Sequence, residues 1–167
     1  MDELQNHIEE WIHRLSVPEA KLGGFKTCPY AKQASFVIFP FATSSTIEEF
    51  MLESVGEFRA SGKEVGICVD VHGSLGAQEL KERTAKLNAE YMKTNIVLLD
   101  DHPDTTFEIN GHRTTNGKYP LVIIQWLDEL ERRSRELDKV GYYSAWSEKA
   151  LNEVVRWRYK DGEVGSD

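Results

Sequence analysis

Four short strand-like runs, the first three of them separated by longer segments with helical periodicity, constrain the fold of this chain more than any other feature of its sequence. The runs span residues 36–41, 65–72, 95–99 and 120–125. Largely apolar runs of this length are typical of buried strands. In the segments between the first three runs, the apolar residues recur every three to four positions, as in amphipathic helices. Strands that alternate with helices in this way predict βαβ units.

We therefore predict an α/β (or α+β) fold in which helices pack on a mixed, mostly βαβ-built sheet of about four to six strands. The sheet is expected to be mixed because residues 107–113 contain an Asn-Gly turn that favours a hairpin. A final helix is predicted over about 144–159. Together these elements predict one globular domain over residues 1–160, followed by a polar, flexible tail over 161–167.

Charge and cysteine content limit the class of protein. The chain has a formal net charge of -8 and no block of basic residues, and it is therefore a poor candidate for binding nucleic acid, whose phosphates are contacted by lysines and arginines. No run approaches the roughly 20 apolar residues that cross a bilayer, and the N-terminal residues do not resemble a signal peptide. Cys28 and Cys68 form neither a disulfide framework nor a zinc pattern, which favours a reducing, cytoplasmic setting.

The segment Asp100-Asp101-His102-Pro103-Asp104 follows the third predicted strand and marks a candidate site. Ligands bind beyond the carboxyl ends of strands in open α/β sheets. If the second and third strands are neighbours, Asp70 and His72 approach Asp101 and His102, and these four residues are an alternative site for a divalent metal. The other interpretation is a simple turn after a strand, and no other cofactor is indicated.

Cys28 is a second candidate, as a nucleophile. Thiolate chemistry requires a lowered pKa, which Lys26, Lys32 or His102 could provide. The alternative is a structural cysteine in a proline-bounded loop that packs on the core.

Several of these residues lie in motifs that resemble those of an uncharacterised bacterial family, a domain of unknown function. That family has a Trp-containing first helix, then Cys-Pro-Phe-Ala, His-Pro and Thr-Asn-Arg-Ser-Pro-Tyr-Pro before an apolar strand. In this chain the matching positions are Trp11, residues 28–31, His102-Pro103 and residues 115–120, and their order and spacing agree over about residues 8–135.

The chain departs from that pattern at Tyr30, which replaces Phe, and at Gly117-Lys118, which stands in place of Arg-Ser-Pro. Asp100 and Asp101 also stand where the family has apolar residues. The family has no assigned biochemistry, so the resemblance identifies positions and no reaction.

From these observations we expect a small enzyme that acts on an anionic molecule. Its catalytic residues would be Cys28 as the nucleophile, His102 as the general base and Asp101 as the carboxylate that orients it. The substrate would be held by Asn116, Lys118, Tyr119 and Arg113.

The alternative function is a non-catalytic binding or accessory module that uses the sheet-edge crevice or the aromatic C-terminal region. Trp157 and Tyr159 are the candidate residues there for contact with a protein partner or a second copy of the chain.

Overall fold

The computed structural model describes residues 2–41 and 45–159, which form two compact units. The sheet unit comprises Gln33–Thr105 and Thr115–Leu127. The helical unit comprises Met1–Lys32, Thr106–Thr114 and Asp128–Asp167. The predicted tail over 161–167 lies outside the described residues, and the single domain over 1–160 stays a prediction.

The sheet unit confirms the mixed α/β fold. Its strands are β1 (Phe36–Pro40), β2 (Val65–Val69), β3 (Ile96–Asp101) and β4 (Leu121–Trp126), in the spatial order β1-β2-β4-β3. β1 and β2 are parallel, whereas β4 is antiparallel to both β2 and β3. The second and third strands are therefore not neighbours, because the last strand of the chain lies between them.

Two helices cover one face of this sheet. α2 (Ile47–Ser61) begins with a capping box, in which the Thr46 hydroxyl accepts from the Glu49 amide and the Glu49 carboxylate accepts from the Thr46 amide. This reciprocal pair satisfies two amides that the first turn of a helix leaves free. α3 (Ala77–Tyr91) packs beside α2, so that Phe58 and Leu80 share one core with Cys68 and Leu98.

β3 is an edge strand whose outer side is occupied by a side chain of α3. The buried Asn88 amide nitrogen donates to the Leu98 carbonyl at 2.8 Å, and its oxygen accepts from the Leu98 amide, also at 2.8 Å. An edge strand otherwise presents unpaired backbone groups. Asn88 thus pairs with β3 as a neighbouring strand would.

The helical unit contains α1 (Asp2–Leu15), α4 (Leu127–Lys139), which begins at the last residue of the sheet unit, and α5 (Glu148–Val154). The predicted hairpin is present as a bridge between Ile109 and His112, with Asn110 and Gly111 at φ 52° and 77°. Both values suit the type I′ turn that Asn-Gly favours.

The single helix predicted over 144–159 is wrong. Short 3-10 helices at Tyr142–Ala145 and Arg156–Arg158 flank α5. The break occurs because Trp146 is extended and the Ser147 hydroxyl caps a new helix by accepting from the Ala150 amide. Among the described residues, no helix is long and apolar enough to cross a membrane.

Candidate functional site at the strand ends

The ends of three strands and the start of a fourth meet at one edge of the sheet unit. β1, β2 and β3 run in the same direction, since β4 is antiparallel to both of its neighbours. Asp70 follows β2, and Asp101 ends β3 rather than following it as predicted. The loop over residues 115–120 leads into β4. This edge is the place where we expected a site.

Asp70 is buried and organises the loop between β2 and α3. Its carboxylate accepts hydrogen bonds from the His72 amide at 3.2 Å, the Ser74 hydroxyl at 3.0 Å and the Leu75 amide at 2.9 Å. A buried carboxylate needs such donors to replace its lost hydration. Both oxygens of Asp70 are therefore engaged by the loop that follows, whereas the His72 side chain is exposed.

His102 is only 6% exposed, and both of its ring nitrogens contact backbone groups. The Asp104 amide donates to Nδ1 at 3.0 Å, and Nε2 lies 2.8 Å from the Leu75 carbonyl oxygen. An amide can only donate and a carbonyl can only accept, so these partners require the neutral tautomer with its proton on Nε2. The nitrogen lone pair that a general base would use is already occupied.

Asp101 and Asn116 form the polar centre of this edge. One carboxylate oxygen of Asp101, Oδ2, accepts from the Asn116 amide at 2.9 Å, the Asn116 side-chain nitrogen at 2.6 Å and the Thr115 hydroxyl at 3.1 Å. The same Asn116 nitrogen donates to the Tyr119 carbonyl at 2.8 Å. Asn116 is buried, so this arrangement fixes the loop to the end of β3.

The backbone amides of the same loop are directed inward. The Asn116 side-chain oxygen accepts from the amides of Lys118 at 3.0 Å and Tyr119 at 2.9 Å, and the Gly117 amide donates to the Thr115 hydroxyl. The exposed Lys118 ammonium lies 5.1 Å from the centre of the Tyr119 ring. An anion that bound to this loop would have to displace these internal hydrogen bonds.

Cys28 belongs to the helical unit. The amides of Tyr30 and Ala31 donate to its sulfur, and Arg133 contributes positive charge, but burial outweighs these effects and raises the pKa of the thiol. The thiol is therefore protonated at neutral pH, and only the thiolate is a strong nucleophile. The Tyr142 hydroxyl donates to the carbonyl of the preceding residue, Thr27, and so helps to fix this loop.

The predicted site residues are thus divided between the units. Asp101, His102, Asn116, Lys118 and Tyr119 belong to the sheet unit, where Asp101 and Asn116 are joined directly. Cys28 and the exposed Arg113 belong to the helical unit.

The metal alternative finds no support in this geometry. The described residues contain no group of three His, Cys, Asp or Glu side chains placed to hold a metal ion, so Asp70, His72, Asp101 and His102 do not form such a group. The physical reason is that β4 separates the strands that carry them, while Asp70 and His102 are already bonded within their own loops.

A small cavity lies beside this edge, lined mainly by apolar side chains such as Phe41, Met51 and Leu121, together with Asp70. Its volume is about 10 Å³. A space of that size holds at most one water molecule. It offers no room for an organic substrate.

Two polar residues with distinctive environments were not predicted from the sequence. Asn88 occupies an inward-facing position of α3, four residues after the buried Thr84. A polar residue at an apolar position of a helix was the available signal for Asn88. Arg158 is buried in the helical unit, where only its place between the aromatic residues Trp157 and Tyr159 could have attracted attention.

Comparisons of the chain with protein-family models, with curated proteins and with solved structures give no match.

Proposed function

We propose that this protein is a non-catalytic binding or accessory module. The observation that carries the proposal is the state of His102, whose two ring nitrogens are both bonded to backbone groups. A general base must accept a proton from its substrate. His102 can do so only after its bond with the Asp104 amide is broken.

The other polar groups of the edge support the same interpretation. Asp70 and Asp101 each accept three hydrogen bonds from the loops that follow β2 and β3. The acidic and amide groups that suggested catalysis therefore hold the strand-end loops in place. On this proposal, the motif around residues 100–104 and 115–120 is a structural clasp.

A test of the clasp is the tautomer of His102 in ¹⁵N-labelled protein, read from its ring-nitrogen chemical shifts. We expect the proton on Nε2 and slow modification of the ring by diethyl pyrocarbonate. The exposed His72 provides the matched control and should be modified fast. A proton on Nδ1, or modification of His102 as fast as that of His72, would contradict the proposal.

For the contact surface we propose Trp157, which is 42% exposed. Tyr159 is 8% exposed, and its hydroxyl donates to the Glu131 carbonyl, so its ring is not available to a partner. Exposed tryptophans are frequent anchors of interfaces. The simplest partner is a second copy of the chain.

Sedimentation of the full chain tests this assignment. We expect concentration-dependent association that Trp157→Ala removes and Leu52→Ala leaves unchanged, because Leu52 is also exposed but lies in the sheet unit. A wild type that sediments as a monomer at every concentration would exclude self-association.

A second candidate function is a thiol enzyme that acts on a small anionic molecule, with Cys28 as its nucleophile. The observation in its favour is that two amides donate to the Cys28 sulfur near the positive charge of Arg133, as stabilisation of a thiolate requires. The pH dependence of alkylation of Cys28 in a Cys68→Ala background decides between the two. An apparent pKa above that of a free thiol supports the binding module, and one below it supports the enzyme.

A further inference from the structure

The guanidinium of Arg158 is a buried charge in the helical unit. The residue is 6% exposed. One terminal nitrogen, Nη2, donates to the Ser134 hydroxyl at 3.2 Å. The other two nitrogens, Nε and Nη1, are buried and have no hydrogen-bond partner among residues 2–41 and 45–159. Nε and Nη1 lie on opposite edges of the planar group, so each of them needs an acceptor of its own.

The surroundings of Arg158 are polar at close range and aromatic beyond. Ser134 and Tyr143 are buried around it, and the Tyr159 ring centre lies 5.7 Å from the guanidinium carbon. Glu131 acts on Arg158 electrostatically. No carboxylate of a described residue forms a salt bridge with Arg158.

An unpaired buried charge is costly, because the protein interior cannot replace the hydration that the charge loses. Arginine does not escape this cost by losing its proton. An oxyanion placed against Nη1 would supply a charge-assisted hydrogen bond and the missing negative charge. The neighbouring Ser134 hydroxyl is a further polar group that can hydrogen-bond to an oxyanion.

We propose that Arg158, together with Ser134, forms a binding site for one small oxyanion, a carboxylate or a phosphate. Arg158 and Ser134 belong to neither the strand-end clasp nor the residues proposed for the thiol enzyme, so the proposal holds whichever of the two functions above is correct. The anion can come from a free ligand or from the chain itself, since Asp161, Glu163 and Asp167 follow in the sequence.

The test compares the melting temperature of the full chain in phosphate and in chloride at equal ionic strength. Four proteins are needed: the wild type, Arg158→Met, Arg156→Met and the triple variant Asp161→Asn/Glu163→Gln/Asp167→Asn. Arg156 is the matched control, because it lies two residues away and is already paired with Glu148. Arg158→Met is expected to fold, since it removes an unpaired buried charge and keeps most of the side-chain volume.

For a free ligand, phosphate should raise the melting temperature of the wild type, of Arg156→Met and of the triple variant by at least about 2 °C. Arg158→Met should not respond. For a carboxylate from the chain itself, the triple variant should melt below the wild type in chloride and recover in phosphate, whereas the same three substitutions made on Arg158→Met should have no effect.

The proposal is overturned if Arg158→Met responds to phosphate as strongly as the wild type does. It is equally overturned if neither phosphate nor neutralisation of the three acidic residues changes the melting temperature of the wild type.

Discussion

The replacement of Asn88 by alanine should be one of the most damaging single changes to the sheet unit. Asn88 makes two hydrogen bonds of 2.8 Å with the backbone of Leu98, which is 1% exposed. Without the side chain, the Leu98 amide and carbonyl are left buried and unpaired, at about 1–3 kcal/mol each. Alanine recovers about 0.5 kcal/mol through its higher helix propensity. The expected loss in the free energy of unfolding is therefore about 1.5–5.5 kcal/mol.

Urea denaturation followed by circular dichroism measures this loss. Asn6→Ala is the matched control, because Asn6 is an exposed asparagine within α1. It should change the free energy of unfolding by no more than about 0.5 kcal/mol. Native-state hydrogen exchange adds a local measurement, in which the Leu98 amide should lose protection in Asn88→Ala. A loss below about 1 kcal/mol, with Leu98 still protected, would show that the edge of β3 is satisfied in another way.

Three further predictions concern the sheet unit. In urea denaturation, Gly66→Ala should lower the free energy of unfolding by about 1–3 kcal/mol, because its new Cβ would lie 3.2–3.3 Å from two core side chains. Gly56→Ala is the control and should raise the free energy of unfolding by about 0.5–1 kcal/mol, because nothing lies within 4 Å of its new Cβ. Asp101→Ala should lower the free energy of unfolding by about 2–4 kcal/mol and broaden the NMR signals of the loop at Asn116, because the donors of that loop lose their charged acceptor. Unchanged NMR signals would contradict the clasp. Burial raises the pKa of Cys68 from 9.0 to about 12. The folded state therefore keeps the full stability of its neutral thiol below about pH 9, and this stability is lost as the pH rises towards 12. At pH 10 the loss is on the order of 1 kcal/mol, and Cys68→Ala should lack this part of the pH dependence.

Local features of the fold could be predicted because neighbouring residues determine them. The capping box of Thr46 and Glu49 and the turn at Asn110 each depend on a few adjacent residues, and the structure confirms the predicted turn. The position of β4 between β2 and β3 could not be predicted in this way. Each strand has the same period of two wherever it lies in the sheet, so the pattern carries no information on the order of strands. The predicted third strand ended at residue 99, two residues too early. Asp100 and Asp101 favour turns in isolation, but pairing with β4 keeps them in the strand.

The location of the candidate site could be predicted from the sequence, but the hydrogen-bond partners of its side chains could not. The ends of strands with the same direction fixed the edge at which Asp101 and His102 would lie. The role of His102 depends on the Leu75 carbonyl, a backbone group 27 residues away whose position only the folded chain defines. Arg158 was missed for a related reason, because arginine is usually exposed and no local pattern indicates that this one is buried.

The clasp also affects how this protein ages chemically. Asparagine followed by glycine deamidates when the glycine nitrogen attacks the side-chain carbonyl, and the chain has two such steps, at Asn110 and Asn116. Asn116 is held through both side-chain atoms, and the Gly117 nitrogen is itself bonded to Thr115, so the attack requires the clasp to open. Asn110 lies exposed at the tip of its hairpin, where its side-chain nitrogen donates to the Lys21 and Ala145 carbonyls but no described residue donates to its side-chain oxygen. In stored protein, peptide mapping should therefore find aspartate and isoaspartate at position 110 well before position 116, and the strand-end loop should keep its original charge for longer than its sequence suggests.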